Sequence, residues 1–244
     1  MPDSPLARLF ALLEGPLARE RLIAYRPPGG ADEDALATYL WNAALSEAFY
    51  PALQGVEVAL RNAVHAAGMD TFGDDALWFD TPAILPLQQR ERDMVLAARR
   101  ALQQHHKPPT AGRLIAELNF GFWVGLFNAP YERVLWAPPA LGLLDTAFPH
   151  VPRRHRSRRR LFQRLDRIRR LRNRVFHNEP IWAWTVPGVS SLGDQHREIV
   201  ETIGWISPPL GETIARLDRF PDVYQRDRAP YRHVLADVAR TLSS

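Results

Sequence analysis

The stretch Leu161-Phe162-Gln163-Arg164-Leu165-Asp166-Arg167-Ile168-Arg169-Arg170-Leu171-Arg172-Asn173-Arg174-Val175-Phe176-His177-Asn178 returns an apolar residue every three or four positions. Leu161, Leu165, Ile168, Leu171 and Val175 fall on one face of a helix, and most of the residues between them are arginine. The spacing predicts a helix over about 156–178 with its apolar stripe on a core and its cations toward solvent or a cleft. Pro180 disfavours helical geometry at Glu179, which puts His177 in the last turn, where the helix dipole favours a protonated imidazole.

The same period recurs outward from this segment, and no series of alternating strands appears, so the expected class is all-α. N-terminal helices are expected over about 5–67: a first over 5–25, then a long one from about 33 that Asp32 caps and that kinks or breaks near Pro51. Central helices are expected over about 84–136, including one at 84–106 and a buried helix or pair at 110–127, where Gly121 and Gly125 allow close helix contact. C-terminal helices over about 192–205, 208–220 and 230–242 complete a single domain, residues 1–244. Prolines, 21 of 244 against a usual ~5%, separate these helices rather than sit inside them.

With 46% hydrophobic residues the chain is large enough to bury a core. It has no cysteine, which removes disulfides, thiolate nucleophiles and thiolate zinc sites and agrees with a reducing compartment. The opening residues, with Asp3, Pro5 and Arg8, do not read as a signal peptide. The longest apolar run, Phe120 to Phe127, is far shorter than the roughly 18 residues of a membrane span. The expectation is a cytoplasmic protein without a membrane partner.

Charge is distributed unevenly. Residues 153–174 hold 12 arginines and one acid, Asp166, a local formal charge of +11 that leaves the rest of the chain at −7 within a net +4. A basic segment on an acidic body reads either as a solvated face or as a footprint for a polyanion, RNA or DNA ahead of an anionic membrane. The cations concerned are Arg153, Arg154, Arg156, Arg158, Arg159, Arg160, Arg164, Arg169 and Arg170. Only Lys107 among the 31 basic residues is lysine, so the clustering rather than the residue type is the signal.

Arg172, Asn173 and His177 bring the chemistry. Cutting RNA without a metal needs a base for the 2'-OH, an acid for the 5'-oxygen and a cation for the charge building on the phosphoryl oxygens. Histidine suits either of the first two roles and arginine the third. Asn173 and His177, four residues apart, share a helix face, while Arg172 lies about 100° around. Joining Arg172 and His177 at one phosphate takes the long arginine side chain, a distorted last turn, or a partner copy.

This R-N-x-x-x-H string, followed by Asn178-Glu179-Pro180-Ile181-Trp182, resembles the R-x(4 to 6)-H motif of the HEPN superfamily, which usually shows a polar residue after the Arg. More narrowly, the chain resembles the Abi-like, or abortive-infection, family. The segments that carry this are Tyr39 to Asn42, Leu45-Ser46-Glu47-Ala48, Glu57-Val58-Ala59-Leu60-Arg61-Asn62 and Ile115 to Trp123, in that order. The resemblance implies an HEPN-like helical bundle with additional helices. It also implies a homodimer that sets two motifs against each other in a shared cleft. It further implies a metal-independent endoribonuclease, a toxin or antiphage factor acting on cellular RNA, with no cofactor. Arg172 would contact the scissile phosphate, Asn173 would orient Arg172 or His177, and His177 would be the acid or base. Many relatives read His-His-Glu-Pro at the motif's end, whereas Asn178 follows His177 here. A non-catalytic RNA-binding or RNA-sensing module of the same fold is the competing reading. A toxin silenced by a cognate antitoxin is a third.

Other polar sets are less specific. Glu57, Arg61, Asn62 and His65 stand at helical spacing, which reads first as an intrahelical ion pair worth a few tenths of a kcal/mol and second as support for the motif from a neighbouring helix. Glu179 either braces Arg172 or His177 or faces solvent. His105-His106 reads as a helix end, and neither it nor His150 with His155 has zinc-site spacing, so no metal is expected. Trp182 and Trp184 fit core or dimer packing better than base stacking.

Overall fold

A computed structural model describes residues 4–73, 76–137 and 141–242, so Asp3 and the ends of the 1–244 span lie outside them. The described residues are 74% helical with almost no strand, which establishes the all-α class. An isolated bridge between Val186 and Val189 is the β pairing found among the described residues. No helix among them is long and apolar enough to cross a membrane.

The helices are α1 (Pro5–Leu17), α2 (Arg19–Ile23), α3 (Asp32–Phe72), α4 (Gln89–Gln104), α5 (Ala111–Glu117), α6 (Phe120–Gly125), α7 (Leu141–Ala147), α8 (Arg158–Phe176), α9 (Leu192–Ile206), α10 (Pro208–Leu217), α11 (Phe220–Arg226) and α12 (Ala229–Thr241). Short 3-10 turns and a π-helical turn at Glu132–Trp136 join some of them. The chain divides into two compact units, each drawn from separate segments: residues 1–51, 171–197 and 217–244 in the first, and 52–170 and 198–216 in the second.

Several boundaries differ from the sequence reading for identifiable reasons. The helix expected over 5–25 is two, because Ala18 takes a left-handed φ of 62° directly after Pro16 and Leu17, and its N–H turns back to the Gly15 carbonyl. Pro16 has no N–H to continue the ladder. Asp32 is not the cap of α3 but its first residue, and its carboxylate pairs with Arg19 and Arg26 at 3.3 and 3.0 Å. The break expected near Pro51 is not made: α3 runs through it, forgoing one backbone bond while Phe49, Ala52 and Leu53 on either side are buried. The helix expected over 208–220 ends at Leu217, and a further short helix that was not expected follows from Phe220, with Pro221 in its first turn.

In the first unit, α1 packs on α12, and Leu9, Phe10, Leu22, Tyr25, Leu36 and Leu235 form a core cluster with Trp182 partly buried against it. A second aromatic group joins Phe49, His196 and Phe220, with the His196 and Phe220 rings stacked at 4.3 Å and 10°.

The second unit holds a larger aromatic core of Trp78, Phe79, Phe122, Trp123, Phe127 and Phe148. Two glycines make its close contacts possible. A Cβ on Gly68 would fall 2.1 Å from the Trp78 indole, and one on Gly125 would fall 2.6 Å from the Glu91 carboxylate. That carboxylate is buried and accepts the Tyr131 hydroxyl at 2.8 Å, while the same hydroxyl oxygen accepts the Gln88 N–H at 2.9 Å.

Candidate functional site

Helix α8 starts behind Ser157, whose hydroxyl accepts the Arg160 N–H at 3.4 Å. Leu161, Leu165, Ile168, Leu171 and Val175 are all buried, so the stripe read from their spacing is the packing face. The helix ends in a Schellman turn. The Glu179 N–H reaches back to the Arg174 carbonyl at 2.9 Å, and the Asn178 N–H to Val175 at 3.1 Å. Asn178 holds the left-handed position with φ 54°, which asparagine tolerates better than most side chains. The His177 N–H still bonds the Asn173 carbonyl at 2.9 Å, so His177 is the last residue on the helical ladder, one step past α8.

The motif side chains therefore leave the final turns of α8 in the first unit. His177 is exposed, and Arg172 and Asn173 are half-buried. The Arg172 guanidinium lies over the Phe176 ring, 4.1 Å from its centroid, a cation–π contact one turn along the helix. Glu179 pairs with Arg174 at 3.1 Å. Arg174 also donates to the Pro180 carbonyl at 2.9 Å and stacks on Trp184 at 4.0 Å. Trp184 and Trp182 thus serve the packing of the segment that leaves the motif.

Sequence reasoning did not single out Asn42 as the clamp of that segment. Its carboxamide oxygen accepts the Ile181 N–H at 2.7 Å and the Trp182 N–H at 3.1 Å, and its nitrogen donates to the Glu179 carbonyl at 3.5 Å. The only sequence signal was its place in the Tyr39–Asn42 segment, one of those that carry the family resemblance. Beside this clamp opens a cleft of about 710 Å³. Phe176 and Asn178, the residues flanking His177 on either side, line it together with Arg21, Tyr25, Tyr39 and Tyr50. Neither Arg172, Asn173 nor His177 belongs to that lining. Burial raises the Tyr25 hydroxyl above the usual tyrosine range, with Arg21 pulling the other way.

Most of the basic segment lies in the second unit, and much of its charge is matched there. Arg164, with its side chain 8% exposed, pairs with Glu201 at 2.6 Å and Glu198 at 3.6 Å, and its guanidinium stacks on Trp205 at 4.0 Å. Arg167 takes Glu198 at 2.5 Å. Arg169 and Arg170 share Asp166 at 2.6 and 2.9 Å. Arg158 donates to the Phe127 carbonyl at 2.7 Å and pairs with Glu132 at 3.1 Å, and Arg156 pairs with Asp145. Arg160 donates to the Arg154 carbonyl, and Arg154 to the His155 ring at 3.0 Å. Arg153 and Arg159 are exposed. Burial, then Arg164, lowers the His155 imidazole below the usual histidine range, and the ring stacks on Trp205 at 4.9 Å.

Glu57, Arg61 and Asn62 lie on the second-unit part of α3, where the Arg61 Nε donates to Asn62 at 3.4 Å. His65 holds the following turn: its ring bonds the Ala76 carbonyl at 3.0 Å, and its own carbonyl accepts the Trp78 indole N–H at 3.3 Å. His105 sits at the C-cap of α4, the helix end that its sequence suggested. Among the described residues no group of three or more His, Cys, Asp or Glu side chains is placed to hold a metal ion.

Comparison with protein-family models, curated proteins and solved structures finds no match to this chain.

Proposed function

We propose that the chain is a metal-independent endoribonuclease of the HEPN type, related to the Abi-like family, and that it acts on cellular RNA as a toxin or antiphage factor in the cytoplasm. The observation that carries this reading is the exposure of the His177 imidazole at the tip of α8, with Arg172 and Asn173 half-exposed on the same last turns. By contrast, the His196 and His65 rings are tied into packing, against Asp218 at 2.9 Å and Ala76 at 3.0 Å. In the proposed reaction a ribose 2'-oxygen attacks the adjacent phosphorus while losing its proton. The P–O5' bond breaks, and the departing oxygen takes a proton, leaving a 2',3'-cyclic phosphate and a 5'-OH. His177 handles one of those protons, and Arg172 neutralises charge on the phosphoryl oxygens. Asn173 orients one or the other. The family resemblance adds a homodimer, in which two motifs meet, and a cognate antitoxin as regulator.

The test is incubation of purified protein with total RNA in EDTA. Cleavage by the parent, lowered about 10² to 10⁴-fold in His177→Ala, is the expected result. Cleavage abolished by EDTA overturns the metal-free mechanism. Binding without cleavage transfers the chain to the second reading, a non-catalytic RNA-binding module, which the seating of Arg172 on the Phe176 ring equally suits.

A further inference from the structure

The cleft beside the α8 tip has features that neither the helix end nor the core requires. Tyr50 and Phe176 are large aromatic side chains left 50% and 41% exposed at its lining, with ring centroids 5.5 Å apart and planes tilted by 30°. Leaving two such rings in water forgoes a burial gain that most aromatic residues realise. Their spacing leaves no room for a third ring between them, and the Arg172 guanidinium lies over Phe176, so a flat ligand would lie against the outer face of Tyr50. The Tyr25 and Ser46 hydroxyls donate to the Asn178 and Asn42 carbonyls, which leaves their oxygens as acceptors at the rim.

Charge in the cleft favours an anion. Glu47, its acidic lining residue, is paired with Arg219 at 2.6 Å. Arg21, its basic lining residue, donates to a carbonyl, that of Asn178 at 2.6 Å, and so keeps its positive charge. About 710 Å³ lies within the range of small-ligand pockets. A flat, edge-polar ring carrying an anion is the chemistry of a nucleotide. Its base face is free to stack only when it is unpaired.

We infer that this cleft is a binding subsite for one unpaired nucleotide of an RNA strand, its base on the Tyr50 ring beside Phe176 and its phosphate at Arg21. Because Phe176 and Asn178 flank His177 in the chain, the occupant would be a neighbour of the scissile bond. The inference deepens the nuclease reading by giving the substrate's form, single-stranded at the cut, and rests on that reading for the role of the bound strand.

The experiment measures binding of a short single-stranded RNA, the same sequence as a duplex, and free adenosine 5'-monophosphate to full-length His177→Ala protein in EDTA. Tyr50→Ala and Ala43→Trp, which respectively remove a stacking surface and fill the cleft, should each weaken single-strand binding about tenfold, while Tyr50→Phe keeps it. The duplex should bind without dependence on Tyr50. Unchanged single-strand affinity in both Tyr50→Ala and Ala43→Trp overturns the inference, as does no binding at all by the parent. Free nucleotide binding as tightly as the strand also overturns the RNA assignment. In protein retaining His177, cleavage with unchanged KM in Tyr50→Ala sinks the subsite and leaves the nuclease standing. Tyr50-dependent binding with no cleavage sinks the nuclease and leaves the subsite.

Discussion

Asn42 and Ile181 are 139 positions apart, and the Asn42 carboxamide oxygen accepts the Ile181 N–H at 2.7 Å. The same oxygen takes the next N–H, that of Trp182, so one buried side chain satisfies two donors of the segment leaving the motif. Asn42→Ala strips both donors of their acceptor where little water reaches them. It should cost about 2 to 4 kcal/mol, read as a lower urea midpoint at unchanged slope. An unaltered midpoint would show that the segment holds itself in place without the clamp.

The left-handed turn at Asn178 gives a second prediction. Glycine meets φ 54° without a Cβ penalty, whereas a β-branched residue does not. Asn178→Gly should leave stability within about 0.5 kcal/mol, and Asn178→Val should lower it by roughly 1 to 2 kcal/mol. Thermal unfolding of the two variants side by side checks the ranking; equal melting would mean the turn relaxes.

How much of this was legible in the sequence depends on the range of the interaction. The stripe of Leu161, Leu165, Ile168, Leu171 and Val175 is a local period, and every member is buried as its spacing required. The tip of α8 was legible for the same reason, since Pro180 fixes the helix end within a residue or two. Gly125 was readable as a close contact, though not that its neighbour would be the Glu91 carboxylate. The +11 of the arginine run was less informative than it looked. Its partners Glu198, Glu201, Glu132 and Asp145 stand outside the run, and local charge counting does not see them. Asn42 shows the same limit. Nothing in its neighbourhood points to Ile181, because the pairing exists only after the chain has folded.

Those pairings divide the arginines into two classes that mutation should separate. Arg164 is buried, paired with Glu198 and Glu201 and stacked on Trp205, so Arg164→Ala takes one of two cations from the half-buried Glu198, which keeps Arg167, and leaves an indole uncovered. It should destabilise the protein by about 1 to 2 kcal/mol, through the lost cation–π contact and hydrogen bonds. Arg159 is exposed, and Arg159→Ala should change stability by less than about 0.5 kcal/mol. If the chain binds RNA through this segment, that variant should reduce the slope of log affinity against log salt by about 0.7. Denaturation and salt-titrated binding on both variants provide the test, and a salt slope unmoved in Arg159→Ala would remove that residue from the RNA footprint.

The buried His196–Asp218 pair makes stability depend on pH. Burial, the larger influence, lowers the His196 imidazole below the usual histidine range; Asp218 at 2.9 Å opposes this, and Arg197 reinforces it. In the unfolded chain the imidazole returns to a value of about 6.5. Between that value and the lower folded one, the unfolded state holds the proton more strongly, so each step down in pH favours unfolding. The contribution is complete above about pH 6.5 and is lost as pH falls toward the folded value. His196→Gln abolishes that titration, so its denaturant midpoint should fall less than the parent's between neutral and mildly acidic pH. Parallel midpoints across the window would show that the folded imidazole takes up its proton as readily as the unfolded one, with Asp218 fully offsetting the burial.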